Sequence, residues 1–230
     1  MESRSENSKI IILDFLNRTK KPWFDFKPRS YHNNMATNRD LEFLFEIGSL
    51  RNLQRGWRQH FGMDCANDLE HTLRVIWLAL ILARKEKDVS EEKIIKMALV
   101  HDVEETRTTD LSYIQKVYVK ADDERAAKDL FEGTALVDFY QVFEEYKGRK
   151  SLEAKIVKDA DNLEVDMELK ELEERGSQLP KKWLAVRRMI RDEKLYTQSA
   201  KEMWDEIQKA DVASWHLVAN KWLKIPEAGK

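Results

Sequence analysis

Glycine and proline are scarce, at seven and four of 230 residues, against roughly 12% for the pair in an average protein. So few chain-breaking residues disfavour a turn-rich β architecture and favour long helices. A single cysteine, Cys65, excludes an intramolecular disulfide and suits a reducing, cytoplasmic setting. Long hydrophobic runs are also missing. The longest, Val75–Ala83, has nine residues, about half of what a bilayer crossing needs, so no membrane partner is expected. The short apolar stretch Ile10–Leu13 has no basic segment before it and no small-residue cleavage site after it, so no signal peptide is expected. Neither sign of charge dominates: 40 Lys+Arg against 42 Asp+Glu leave a net −2, which argues against a nucleic-acid polymer as partner.

What is present is a chain that folds. Hydrophobic residues make up 42% and charged residues 36%, too apolar for disorder and long enough for one full core. Residues 1–39 read as an extension: a polar start, a short helix over Ile10–Leu16, then Lys21–Pro28 with two prolines and three aromatics. Residues 40–224 read as an all-α bundle and 225–230 as a tail. Leu41, Leu44, Phe45 and Leu50 share a stripe, as do Leu69, Leu73, Ile76, Leu80 and Ala83. The apolar run Val75–Ala83 predicts a central helix. Ser90 before Glu91 and Glu92 marks a helix start, and that helix carries Ile94, Met97, Ala98 and Val100 towards His101. Leu136, Phe139, Tyr140, Phe143 and Tyr146 form a further stripe, with Gly148 as its C-cap. Ser151 caps a long helix striped by Leu152, Ile156, Ala160, Leu163 and Met167 and ending near Gly176. Two C-terminal helices follow, near 180–192 and 198–222. Nothing alternates as a strand.

Three features could carry chemistry: His71 at the start of the central helix, His101-Asp102 near the end of the next, and Asp161 on the long helix. His101 follows Ile94 and Met97 on an apolar stripe. Asp102 follows Ala98 by four, and Asp161 sits beside Ala160. Inward carboxylates need a cation or several donors, since an unpaired buried charge costs several kcal/mol. Any one of these residues reads plainly as half of a buried His–Asp hydrogen bond. Together they could share one divalent ion, Mn, Fe, Co, Ni or Zn by donor type, with coordination positions left for water and substrate.

The set His71, His101-Asp102, Asp161 resembles the H…HD…D signature of HD-domain metal-dependent phosphohydrolases. Leu53-Gln54-Arg55-Gly56-Trp57, Leu69 to Val75, Ala98 to Glu105, Thr109-Asp110-Leu111 and Val157 to Asp161 extend the likeness, in order and spacing, to the 5′-deoxynucleotidase branch. It runs from about Leu41 to Gly176. The resemblance implies an HD-domain helical bundle and a phosphomonoesterase acting on (deoxy)nucleoside 5′-monophosphates. It implies one divalent ion, with Mg added to the candidates, and a homodimer. No histidine lies between residues 103 and 160, as in the one-metal type. It also implies that Glu105 assists the attacking water, that Asp110 serves the leaving-group side, and that Arg55 and Trp57 flank the substrate. Arginine suits a bidentate phosphate contact and tryptophan a flat apolar wall. His32, His60 and His216 fall outside the pattern and read as structural or exposed. Lys116 and Lys158 could assist with phosphate or be solvated.

The chain departs from that branch at Leu69, at Asp159, over the 61–68 loop, and at Ser112–Lys116, where the loop after Asp110-Leu111 has no proline. Other substrates therefore stay open: a nucleoside triphosphate, a cyclic nucleotide or an alarmone. A non-catalytic nucleotide or metal sensor also stays open, with Trp204, Trp215 and Trp222 as partner surface or core.

Overall fold

A computed structural model describes residues 38–217. The expectations placed on residues 1–37, on Trp222 and on the 225–230 tail lie outside them. The described chain runs through α1 (Arg39–Gly48), a 3-10 turn (Ser49–Asn52), α2 (Arg58–Phe61), α3 (Asp68–Ala83), α4 (Glu91–Val100), α5 (Glu105–Thr108) and α6 (Gln115–Tyr118). It continues through α7 (Asp123–Phe131), α8 (Phe139–Gly148), α9 (Leu152–Glu174), α10 (Leu179–Glu193), α11 (Gln198–Lys209) and α12 (Ser214–Leu217). Among the described residues the only β pairing is one isolated bridge, Gln54 with Asn67. Among the described residues no helix is long and apolar enough to cross a membrane.

The expected caps form. The Ser90 side chain accepts from the Lys93 N–H and opens α4, and the Ser151 side chain accepts from the Ala154 N–H and opens α9. At the far end of α9, Gly176 takes φ +100. Its N–H reaches the Glu173 carbonyl at 2.9 Å and the Ser177 N–H reaches that of Leu172 at 2.9 Å, which pairs the last carbonyls of the helix.

Helix α9 is the axis of the bundle, packed by α3, α4, α8, α10 and α11. The main core joins Val75, Leu78, Ala79 and Leu82 of α3 to Ile94, Met97 and Ala98 of α4 and to Ile156, Val157, Ala160 and Leu163 of α9. A second cluster gathers Phe43, Val100, Val103, Leu130, Phe131 and Phe143.

Several expectations need correction. On α1, Leu41, Leu44 and Phe45 are exposed at 49%, 64% and 74% and Phe43 points inward, while Leu50 of the following 3-10 turn is buried as expected. On α3, Leu69 and Leu73 of the expected stripe are exposed, as is Trp77. A helix apolar all round can be turned either way, and the side bearing His71 and Thr72 is the one that faces in. The helix expected over 198–222 ends at Lys209, because Ala210 is extended at ψ 147. The Asp211 side chain then accepts from the Ala213 N–H at 2.9 Å and starts a new turn. After α8 the left-handed cap residue is Arg149 at φ 51, not Gly148.

Candidate metal centre

The entrance to α3 is a reciprocal cap. Asn67 Oδ1 accepts from the Glu70 N–H at 3.0 Å, and Glu70 Oε2 accepts from the Asn67 N–H at 3.1 Å. This pairs two of the free N–H groups at a helix start and sets His71 in the first turn. The Asp68 N–H donates to the Leu53 carbonyl at 3.0 Å, which docks the Arg55 segment beside it.

His71 is fully buried. Its Nδ1 lies 2.6 Å from Glu164 Oε2, so a proton sits on that side and Nε2 faces His101, Asp102 and Asp161. Helix α4 stops at Val100, and His101 Nδ1 bonds the Ala98 carbonyl at 2.8 Å. The histidine thus satisfies one of the carbonyls that a helix end leaves open, and its own Nε2 also turns inward. The two Nε2 atoms are 3.2 Å apart. Asp102 Oδ2 is 3.1 Å from His101 Nε2 and 3.6 Å from His71 Nε2. Asp161 Oδ1 is 3.3 Å from His71 Nε2. One donor atom from each of these four residues falls within 4.8 Å of every other.

That donor set fits a divalent ion. Both imidazoles use Nδ1 on a hydrogen-bond acceptor, the arrangement that frees Nε2 for a metal. Two Nε2 atoms facing each other need a cation between them or a proton on one. Without an ion, burial and Arg55 oppose the charged imidazole of His71, but Asp102, Asp161 and Glu164 outweigh them and raise it well above its ordinary value. Burial also works against charge on Asp102 and Asp161. The His101 imidazole overcomes it for the first and Lys158 for the second, so both stay well below the ordinary carboxylate range.

A second acidic group adjoins the first: oxygens of Asp68, Glu105 and Asp110 also lie within 4.8 Å of one another. Arg55 is buried among them, with Nη1 3.2 Å from Asp110, 3.6 Å from Asp68 and 3.6 Å from Asp102. Asp68 has no hydrogen bond to either buried oxygen. Its burial, opposed in part by Arg55, lifts it to about 7. Burial, then Asp102, Asp110 and Asp68, lift Glu105 to about 11. Glu105 does not continue the His101 helix; it opens the separate α5.

Asp110 follows Thr109, which takes φ 64, an uncommon conformation for a β-branched residue and one that concentrates at functional sites. Asp110 Oδ2 accepts from the Gly56 N–H at 3.0 Å. A Cβ on Gly56 would lie 2.5 Å from the Asp110 carbonyl oxygen and 2.7 Å from the Ser112 nitrogen. The glycine between Arg55 and Trp57 is therefore what lets the two segments touch.

All eight candidate residues except the wholly enclosed His71 line one cavity of about 740 Å³. Trp57 forms one wall, 5.4 Å from the Arg55 guanidinium and 6.5 Å from the Trp183 ring. Tyr113 meets Trp183 edge-on at 5.8 Å. Lys116 and Lys158 also line the cavity, and Lys158 Nζ is 2.5 Å from Asp161 Oδ2. Asp159 is buried on α9, accepting from the Tyr196 and Thr197 N–H groups at 2.8 Å each. His60 lies 5.5 Å from the Tyr113 ring and His216 is exposed, both outside the metal cluster.

Reading the sequence missed Glu164, Asp68 and Trp183. Glu164 had a signal, since it follows Asp161 by three and shares its face. Asp68 likewise precedes His71 by three. Trp183 had none, because its role depends on how α10 docks.

Comparison with known proteins identifies the family. A family model described as HD domain matches residues 47–210. A zebrafish (Danio rerio) protein named 5′-deoxynucleotidase HDDC2 is 33% identical over 142 residues, 58% of this chain and 70% of that protein. Its Dictyostelium discoideum counterpart is 30% identical over 156 residues, 62% and 82%. A conserved hypothetical protein from Pyrococcus furiosus superposes with a TM-score of 0.64 at 24% identity, covering 74% of this chain and 99% of that one. A predicted metal-dependent phosphohydrolase from Magnetospirillum magnetotacticum gives 0.58 at 21%, covering 74% and 94%. The two superpositions speak to fold alone.

Proposed function

Because the chain belongs to the HD domain family, we propose that it is a metal-dependent phosphomonoesterase that hydrolyses (deoxy)nucleoside 5′-monophosphates to nucleoside and phosphate. The observation that carries this is the convergence of His71, His101, Asp102 and Asp161 donor atoms within 4.8 Å, beside an aromatic-walled cavity large enough for a nucleotide. The naming of the zebrafish and Dictyostelium relatives supports the substrate class.

These four residues would hold one divalent ion, and two imidazoles with two carboxylates favour a first-row transition ion such as Mn or Co over Mg. When bound, such an ion supplies Lewis-acid charge to a phosphoryl oxygen and acidity to the attacking water. Glu105 keeps a proton while the acidic group around it is uncompensated. Added positive charge beside it frees the carboxylate, which then orients the water and takes its proton. Arg55 brings charge to the phosphoryl oxygens from the floor of the cavity. Asp110, held by Gly56 and Arg55 through Oδ2, positions the water that protonates the departing 5′-oxygen. Trp57 walls the sugar and base. Phosphoryl transfer asks mainly for this positioning and charge.

We place the activity in the cytoplasm and in a homodimer. Leu69, Leu73, Trp77 and Ile81 leave an apolar edge on α3 that a second copy would cover, which sedimentation tests.

The deciding experiment is phosphate release from ribo- and deoxynucleoside monophosphates by metal-stripped protein with and without Mn, Co or Mg. Triphosphates and cyclic nucleotides serve as comparison. Metal-dependent release from 5′-monophosphates is expected, and lost with Asp102→Ala. Release only from the comparison substrates moves the reading to another phosphate ester. Silence from folded protein that binds metal moves it to a sensor.

A further inference from the structure

Three arginines line the cavity: Arg55, Arg149 and Arg187. Two of them are committed to carboxylates. Arg55 sits among Asp68, Asp102 and Asp110. Arg187 makes a two-pronged pair with Asp166 at 2.9 and 2.6 Å and adds the Asn162 carbonyl at 2.8 Å. Arg149 makes no ion pair among the described residues. Its guanidinium lies 3.4 Å over the Tyr146 ring and donates to the Tyr146 carbonyl. One N–H of five is used, and the guanidinium is held against the ring with no carboxylate paired to it among the described residues.

The backbone at this position is costly. Arg149 takes φ 51 and ψ 26 as the residue that ends α8. That left-handed position normally goes to glycine, and a glycine stands one residue earlier, at 148, inside the helix. Strain kept at a cavity wall, with a suitable residue adjacent and unused for it, points to the side chain. The place is also right. The Tyr146 ring that carries Arg149 also adjoins the candidate metal cluster: it is buried and meets His101 edge-on at 6.0 Å. Lys158, hydrogen-bonded to Asp161, lines the same cavity.

We propose that Arg149 is a phosphate-positioning residue, its planar fork taking two phosphoryl oxygens of a substrate held in the cavity it shares with the acid-bound Arg55. This rests on the phosphomonoesterase reading. A guanidinium matches two phosphate oxygens at once, and one already stacked on an aromatic ring loses little freedom in doing so. Lys147, two residues earlier, cannot share the task as it stands, because its ammonium is bound to Glu104 at 2.6 Å.

The test uses full-length, Mn-loaded protein as wild type, Arg149→Gly and Arg149→Lys, with three readouts: kinetics on a deoxynucleoside monophosphate, calorimetric binding of inorganic phosphate, and melting temperature. Arg149→Gly relieves the left-handed strain, so its melting temperature should hold or rise. Its KM and its phosphate dissociation constant should each rise at least tenfold, with a smaller change in kcat. Arg149→Lys keeps the charge without the fork and should recover only part of the affinity. Phosphate binding and KM within twofold of wild type in both variants would overturn the proposal and leave Arg149 a helix cap. So would a wild type that binds no phosphate. If wild type binds phosphate but turns over no nucleotide, the phosphomonoesterase reading fails, while the phosphate titrations still decide the role of Arg149.

Discussion

Glu164 stands one helical turn beyond Asp161 and holds His71 Nδ1 at 2.6 Å, so α9 supplies both a candidate ligand and the group that aims another. An outer carboxylate of this kind fixes the histidine tautomer and raises its basicity. Glu164→Gln keeps an acceptor but removes the charge, and metal affinity should fall about tenfold. Glu164→Leu removes both, and the fall should approach 100-fold. Titration of Mn into stripped protein measures each. Unchanged affinity in the leucine variant would show that His71 needs no such support.

Metal binding should be strongly pH-dependent. In the metal-free protein His71 is raised well above its ordinary value and carries a proton at neutral pH. An ion must displace that proton, so apparent affinity should climb by up to about tenfold per pH unit and protons should be released. The same shift has the opposite effect on the stripped protein. A raised imidazole stabilises the fold fully below its unfolded value of about 6.5, and this contribution is lost as pH rises through the folded value. Calorimetry in buffers of different ionisation enthalpy counts the protons. Affinity that is flat between pH 6 and 9 would contradict the assignment.

Arg187 and Asp166 form a buried two-pronged pair that ties α10 to α9. Breaking it from one side strands a buried charge. Arg187→Met or Asp166→Leu should each cost about 3 kcal/mol, a fall of roughly 6–12 °C in melting temperature for a chain of this size. The double variant should recover much of the loss. A double variant as unstable as the sum of the singles would show that the two side chains act independently.

Gly56→Ala should injure the site more than the fold. The new Cβ meets backbone at 2.5 and 2.7 Å, so the segment carrying Asp110 must retreat. A cost of about 2 kcal/mol is expected from the strain, and a loss of about 100-fold in kcat/KM from displacement of the reacting groups. Helical circular dichroism should be retained. Wild-type turnover would mean that the 110–112 segment can move without consequence.

The helical class was legible in the sequence because it rests on local rules, and the convergence of His71, His101, Asp102 and Asp161 was legible through their likeness to the H…HD…D pattern. Ser90 and Ser151 cap helices by bonding N–H groups three residues on, and His101 follows Ile94 and Met97 at helical spacing. Facing was not legible where a helix is apolar on more than one side. Leu41, Leu44 and Phe45, and Leu69 and Leu73, have the right spacing for burial yet lie outward, since only tertiary packing chooses between two greasy faces. The reverse happens on α9. Asp159, Asp161, Glu164, Asp166 and Glu168 are all buried, each against a partner from another segment: the Tyr196 and Thr197 amides for Asp159, His71 for both Asp161 and Glu164, Arg187 for Asp166, and the Ala66 N–H at 2.5 Å for Glu168. Spacing points inward for Asp161 and Glu164, but no local pattern announces that Asp159, Asp166 and Glu168 will join them. Arg149 was hidden for a similar reason, because the neighbouring glycine is the natural candidate for a cap.

The four converging side chains come from three stretches of chain far apart: His71 and the His101-Asp102 pair are 30 residues apart, and the Glu164 that steadies His71, on the helix of Asp161, lies 93 residues from it. An ion held there binds the folded chain and has no comparable site on the unfolded one. It would therefore act as a clasp whose contribution grows with the logarithm of ion concentration. Ion supply would then set the lifetime of the protein as well as its rate. A cell short of the metal would lose activity first by emptying the site and then by degrading the loosened chain, so abundance itself would follow metal status.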